Sequence, residues 1–529
     1  MNKYGKHLLQ SPLLWILLFS AIAYYFIVVP QWSPTWDSAI YISLARAMVN
    51  GEGYTYMGYP HTKYPPGFSL LLAPIEFIAG HNFLYMRLLI AICAVGSIGL
   101  TFLLIRRTAS VSVACAVSLM TAASYALFIE TTHILSDVPY MFVSLAALIV
   151  AERYSRHLSM RYAFMTIGLI ATAFMIRLVG FTLALSLVPV ILISARRHPV
   201  QKRIRHAVLV LGVIALVAGV WMGRNALITD NLPPGLRESL SYERELIVVN
   251  PDNPRSETVT QSDLVERVGR NMAHYEKMFV DLLTAKRVTN RFFVHLFIAL
   301  WLTGWLLALF FRHTVIEYYT LFYMLVYLLW PAWQGERFLI PILPMIFYYA
   351  LQPFLLFFQD PSDRFALSKD KPWLHNIISW LRPIQLRGQN VSSSRTALLI
   401  FLTVAVISLN ALLVIPFIKK ERQVPYYTGF FAEYIGAIEW LRDNTPEDAI
   451  IIADPSPWVY LLSERKSFTS PWVPDHQKVL DSISLNGGTH VVSNNWGYTS
   501  YFLKPVLRMH PERFREIHQI GGNIIYEIQ

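Results

Sequence analysis

The sequence predicts a polytopic α-helical membrane protein that carries a small α/β domain at its C-terminal end. Three observations predict it. Of the 529 residues only 15% are charged while 54% are hydrophobic, whereas a soluble chain carries about 25% charged residues. Apolar runs long enough for about 30 Å of hydrocarbon recur between residues 13 and 417. After residue 418 the composition changes, and short segments of helical and strand period alternate.

The apolar runs fall near 13–30, 83–105, 109–128, 134–151, 160–176, 178–194, 207–223, 292–311, 314–331, 338–358 and 396–417, which predicts about eleven spans. Residues 1–30 resemble a signal peptide but lack a small-residue cleavage site, so they read as an uncleaved first helix. The apolar stretch 65–80 is flanked by proline and reads as a span or as a re-entrant or interfacial helix. The basic segments Arg106-Arg107, 152–161, 195–206, Arg312-His313 and 359–395 alternate with less basic ones. With eleven spans the positive-inside rule puts all of these on the cytoplasmic side, together with the N-terminus. The net charge of +11 is thus a topology signal, and no nucleic-acid partner is expected. Cys93 and Cys115 lie within apolar runs and read as small core residues, with neither a disulfide framework nor zinc spacing.

The opposite face then carries 31–82, the turn before Asp137, the break at Arg177, the loop 224–291, the turn 331–337 and everything after 418. The expected units are a membrane domain over 1–417, with outer loops 31–82 and 224–291, and an extracytoplasmic α/β domain over 418–529. In the latter, 431–443 has the period of an amphipathic helix, and strands are expected at 449–454, at 489–494 and in the final IIYEI. The protein is expected in a bacterial-type inner membrane.

This topology gathers Asp37, Lys63, Asp137, Arg177, Arg224 and Arg337 at one membrane face. Ionisable groups in such a setting carry chemistry or bind charged ligands. Asp37 precedes a helical run; it is a general base for an attacking hydroxyl, or the N-cap of 38–50. Lys63 stands before Tyr64-Pro65-Pro66-Gly67, a stiff loop that presents a point charge to a phosphate, unless it merely snorkels at the interface. His133 and Asp137 are four residues apart; on one helix they would share a face, at a spacing that also suits a metal. With only two ligands nearby, a divalent cation has weak support. Asp137 alternatively fixes the base or caps the next span. Arg177 interrupts a long apolar run, where insertion costs about 2.5–3.5 kcal/mol unless a turn, a carboxylate or a phosphate offsets it. Arg337 opens the tenth span as an interface anchor or as part of a cationic cradle with Lys63 and Arg177. Arg224 closes the seventh span and orients the loop that follows.

These motifs resemble the GT-C glycosyltransferases of the protein O-mannosyltransferase superfamily, which includes the bacterial aminoarabinose transferases that act on lipid A. The resemblance covers the membrane region to about residue 417. Asp37, followed by Tyr41, Ala45 and Gly51, matches the catalytic aspartate of the first outer loop. Lys63 matches the lysine that contacts the lipid phosphate, Asp137 the second acidic position, and Arg177 and Arg337 recurrent basic positions. Many members have Asp-Glu in the first loop; here it is Asp37-Ser38, and no DxD occurs there. The resemblance implies a donor with one sugar on a polyprenyl phosphate, an acceptor protein or glycolipid, Asp37 and Asp137 as catalytic residues, and Lys63, Arg177 and Arg337 on the lipid phosphate. Tyr41, His133 and Arg224 would support them. It implies no metal. The competing expectations are a transporter or flippase for a lipid-linked sugar, and a non-catalytic assembly factor.

Overall fold

The computed structural model describes residues 11–229, 232, 242–249, 256–284, 286, 290–357 and 391–529. The start of the expected cytoplasmic N-terminus, most of the basic 359–395 loop and parts of the 224–291 loop lie outside the described residues.

Helices occupy the predicted apolar runs. Among the described residues five are long and apolar enough to cross a membrane, or six if the bent pair Val111–Ala123 and Tyr125–Thr132 is one span. Several others, among them Pro12–Tyr25, Met160–Ile176 and Val315–Leu329, are shorter than the roughly 20 residues of a full crossing. Only 17% of the apolar window in Arg291–Phe311 and 22% of that in Thr396–Glu421 is buried, against 56% for Phe83–Ile105. Apolar helices left this bare at the rim have lipid as their natural solvent, and the protein is an integral membrane protein. At the centre, Asp137–His157 packs against both Phe83–Ile105 and Met160–Ile176. The 65–80 stretch becomes the helix Gly67–Ala79. It packs on Trp36–Val49 while Phe77 and Ile78 stay exposed, as in a helix lying at an interface.

The C-terminal part forms a mixed five-stranded sheet. Its strands are β3 (Ile450–Ile452), β4 (Lys466–Phe468), β5 (His490–Ser493), β6 (Phe514–Ile520) and β7 (Asn523–Ile528); β1 (Thr55–Tyr56) and β2 (Tyr59–Pro60) form a small hairpin in the loop 31–82. The order is β4-β3-β5-β7-β6. β3 runs parallel to β4 and β5, and β7 antiparallel to β5 and β6. Burial explains which strands are visible in the sequence. β5 is buried along its whole length and reads as an apolar run. β6 faces solvent over most of its length and β4 is three residues long, and neither was expected.

This sheet region is fastened to the loop 31–82 and the helix within it. Helix Ser456–Ser463 packs on Trp36–Val49, Trp32 meets Trp458 edge-on at 5.7 Å, and Arg46 pairs with Glu464 at 3.0 Å. Below it, Arg87 is 1% exposed and donates to Glu421 at 2.7 Å and to the carbonyls of Ile27 and Gln31, both at 2.8 Å. One guanidinium thus ties the end of the last long helix to the end of the first.

Candidate active site

The first loop, 31–82, builds one side of the site. Thr35 caps helix Trp36–Val49, and its side chain accepts from the Ser38 N–H in a reciprocal capping box. The N-cap reading of Asp37 is therefore corrected: Thr35 does that work and leaves the Asp37 carboxylate available. Its Oδ1 accepts from the Tyr64 hydroxyl at 2.8 Å and its Oδ2 from Arg337 Nη1 at 2.7 Å. Burial by itself raises the Asp37 pKa. Arg337, the Tyr64 hydrogen bond and Lys63 outweigh it and hold the carboxyl below its ordinary range.

Two glycines bring the other elements in. A Cβ on Gly67 would stand 2.5 Å from the Met175 carbonyl oxygen, and one on Gly180 would stand 2.4 Å from the Phe174 nitrogen. Both glycines therefore let backbone pack directly against the end of helix Met160–Ile176. Gly67 delivers the Lys63 loop there. Gly180 lets the chain double back just after Arg177, which sits in an extended break (φ −148°) between the two helices. The break offsets the cost of an arginine in an apolar run by turning it into the site.

Arg177 and Arg337 share Asp137. Arg177 Nη1 donates to Asp137 Oδ1 at 2.5 Å and Arg337 Nε to Asp137 Oδ2 at 2.6 Å. Arg177 also donates to Ser136 Oγ, which is bonded to Tyr41 Oη at 3.2 Å. Arg337 thus bridges two carboxylates contributed by two different helices. Its Nη1 also donates to Gln334 at 2.8 Å; its Nη2 has no acceptor among the described residues.

Lys63 Nζ pairs with Glu245 Oε1 at 2.6 Å and lies over the rings of Tyr64 and Tyr242. Its loop is anchored from below. Arg224 donates to the His61 carbonyl at 2.8 Å and Asn225 to the Thr62 carbonyl at 2.7 Å, so Arg224 holds the loop of Lys63 and not, as expected, the loop that follows it. His61 Nε2 accepts the Tyr64 N–H at 3.0 Å. Burial, then Lys63 and Arg224, push the His61 pKa down to about 3, so this imidazole is a neutral brace.

Asp37, Lys63, Tyr64, Arg177 and Arg337 line one cavity of about 1150 Å³. One part of its wall is apolar, formed by Phe174, Phe181, Leu211, Ile214 and Met222 from the flanking helices. Another part comes from the C-terminal region, from Ser456 and from 467–472. Asp137 stands behind the arginines, 1% exposed and outside the cavity lining.

The expectation for His133 is corrected. Helix Tyr125–Thr132 ends before it, His133 is extended, and Asp137 begins the next helix. The two do not share a helical face. His133 lies 3.9 Å from Glu130 and does not line the cavity. Among the described residues no three His, Cys, Asp or Glu side chains gather as they would around a metal ion. Glu245, Tyr64, Ser136 and Gln334 were not anticipated as site residues. Tyr64 adjoins Lys63 and was within reach of the sequence argument; nothing in the pattern singles out Glu245.

The sequence matches the profile of the dolichyl-phosphate-mannose-protein mannosyltransferase family over residues 63–222. In three dimensions it is similar to ArnT from Cupriavidus metallidurans bound to undecaprenyl phosphate, at 12% identity and a TM-score of 0.60, covering 99% of this chain and 98% of that one. The chain has the GT-C fold. A second GT-C structure, the Archaeoglobus fulgidus oligosaccharyltransferase tethered with an acceptor peptide containing the NVT sequon, aligns at 13% identity and a TM-score of 0.56, over 98% of this chain and 74% of that one. No curated protein matches the sequence. The profile match takes in Lys63, Asp137 and Arg177, and the GT-C fold carries the remaining site residues on either side of it.

Proposed function

We propose that this protein moves one sugar from a polyprenyl-phosphate donor to an acceptor hydroxyl on the outer face of the membrane, with inversion at the anomeric carbon. In this reading the eleven apolar runs all cross or enter the bilayer, the N-terminus is cytoplasmic, and residues 418–529 form an extracytoplasmic domain. The observation that carries it is a carboxylate, Asp37, held among Lys63, Arg177 and Arg337 at the head of a cavity with an apolar side wall. A polyprenyl tail needs such a wall, and a phosphate needs such cations.

The step balances within the site. An acceptor hydroxyl attacks the anomeric carbon with its electron pair and gives its proton to Asp37. The bond to the phosphate oxygen breaks, and its pair stays on the lipid phosphate. Negative charge builds there as the bond lengthens. Fixed cations favour that charge more than the ground state, which converts binding into rate. Asp137 acts as a positioning residue: it aligns both guanidiniums, and through Arg337 it sets the Asp37 carboxylate. The flippase alternative has less support, since Asp37, Asp137 and Arg177 all sit at helix ends, whereas transporter sites gather within broken helices at the midplane.

The test is a transfer assay with purified protein, a panel of polyprenyl-phosphate sugars and membrane extract as acceptor. Label passing to product supports the reading. Donor movement across liposomes without transfer overturns it in favour of a flippase.

Glu245 occupies the Lys63 ammonium that the donor phosphate would take. Glu245→Gln is expected to tighten binding of undecaprenyl phosphate by up to about tenfold, or ~1.4 kcal/mol, in a direct titration. Weaker binding would mean that Glu245 orients Lys63 and does not compete with the phosphate.

A further inference from the structure

The reaction uses the cationic head of the cavity and its apolar wall, and leaves the third part without a task. This part comes from the C-terminal sheet. Strand β4 and the loop after it contribute Ser467, Thr469, Ser470 and Trp472, and the first outer loop contributes Tyr56 beside them. No lining residue from the C-terminal region is charged.

Two polar atoms here have no partner. Tyr56 Oη and Ser467 Oγ are buried without a hydrogen bond, and Tyr56 is 4% and Ser467 1% exposed; the Trp472 indole N–H, beside them, is directed at the Asp454 carboxyl. Buried polar groups in native proteins are normally satisfied, and a cluster that is not points to an absent partner. They are borne by the first-loop hairpin and an edge strand, yet both residues line the cavity that holds Asp37, as does Trp472. The aromatic surface beside them is fixed: Trp472 stacks on Tyr498 at 3.9 Å with 5° between planes. Ser456 and Thr469 hydroxyls bond each other at 2.8 Å and offer further sites for hydroxyl exchange.

We infer that Tyr56, Ser467 and Trp472 form the acceptor subsite and that it takes a neutral, hydroxyl-rich saccharide. The inference rests on the transferase reading above. A saccharide supplies hydroxyls that both donate and accept, which matches the unpartnered phenol and hydroxyl. Its C–H faces pack on a flat aromatic. An extended peptide would instead seek the open edge of the sheet. Of the two edge strands, β4 and β6, β4 is the one at the cavity, but its Ser467 N–H is already taken by Met57 Sδ at 3.3 Å, so strand addition is blocked where the cavity meets the sheet.

The test uses full-length protein in phosphatidylcholine nanodiscs, with mannotriose and a neutral Ser/Thr-rich hexapeptide as probes in saturation-transfer NMR. Undecaprenyl phosphate titration is the control. The variant is Ser467→Ala with Trp472→Phe, which keeps the stacked ring and the strand. Saturation of mannotriose by the wild type, reduced at least fivefold in the variant while undecaprenyl phosphate binding stays within twofold, is the expected result. An equal mannotriose signal in both proteins, no signal in the wild type, or a signal from the hexapeptide alone overturns the subsite. If the wild type fails to bind undecaprenyl phosphate, the donor assignment falls. A mannotriose signal that still depends on Ser467 and Trp472 then upholds the saccharide site on its own.

Discussion

Asp37→Asn is expected to lower the rate of sugar transfer by about 10²–10⁴-fold, the range that a positioned general base contributes. Asparagine keeps the size of the side chain and one acceptor oxygen. Either the Tyr64 hydroxyl or Arg337 keeps its bond, so the loop holds. What is lost is the group that takes the hydroxyl proton, and half of the charge that Arg337 balances. Binding of undecaprenyl phosphate should be unchanged or tighter, because a carboxylate near the phosphate has been removed. A transfer assay run beside a lipid titration separates the two effects. Wild-type turnover in the variant would remove Asp37 as the base. Because Arg337, Tyr64 and Lys63 hold the Asp37 carboxyl below its usual range, protonation of this group should not limit kcat/KM anywhere above that range. An acid limb nearer neutrality would belong to another group.

Arg337→Leu is expected to be the most damaging single change in the site. It removes the partner of half-buried Asp37 at 2.7 Å and one of the two partners of buried Asp137 at 2.6 Å, Arg177 remaining on the latter. Breaking a fully buried pair from one side costs about 3–5 kcal/mol, which is the upper bound here. The variant should show a lower melting temperature in detergent and no measurable transfer. Arg337→Lys isolates the geometry. It restores charge and much of the stability, but a lysine has no planar fork to reach both carboxylates at once. Transfer should remain at least 10²-fold below the wild type in the same assay. Near-normal transfer by the lysine variant would mean that charge alone is needed and that the bridge is incidental.

The parts of this site that the sequence made visible are those where a charge stands alone in apolar surroundings. Asp37, Lys63, Asp137, Arg177 and Arg337 were each conspicuous for that reason, and the fold brings all five into one cluster. Glu245 lies in a polar segment where a glutamate is unremarkable, so nothing marked it as the partner of Lys63. Tyr64 is one of 28 tyrosines, and its hydroxyl gains meaning only once Asp37 is 2.8 Å away. The His133–Asp137 pair failed for a local reason: a four-residue spacing implies a shared face only if the helix continues, and here it breaks between them. Among the strands, β3, β5 and β7 were legible as apolar runs. β4 was too short and β6 too polar to stand out. The number of crossings is the least legible feature, since several helices are shorter than a bilayer is thick and depend on tertiary packing for their depth.

The fastening of the C-terminal sheet to the first loop bears on how such proteins diversify. A domain on a free linker can be exchanged among relatives with little loss. This one is held by Arg87 reaching Glu421 and two carbonyls, by Trp32 against Trp458, by Arg46 on Glu464, and by Met57 against the backbone of Ser467. A chimera cut at residue 418 would carry a foreign sheet onto a native loop and forfeit all of these at once. New acceptor preferences should therefore have spread by paired change in two stretches of sequence that are some four hundred residues apart, and the boundary for any productive graft lies within the fold and not at the linker.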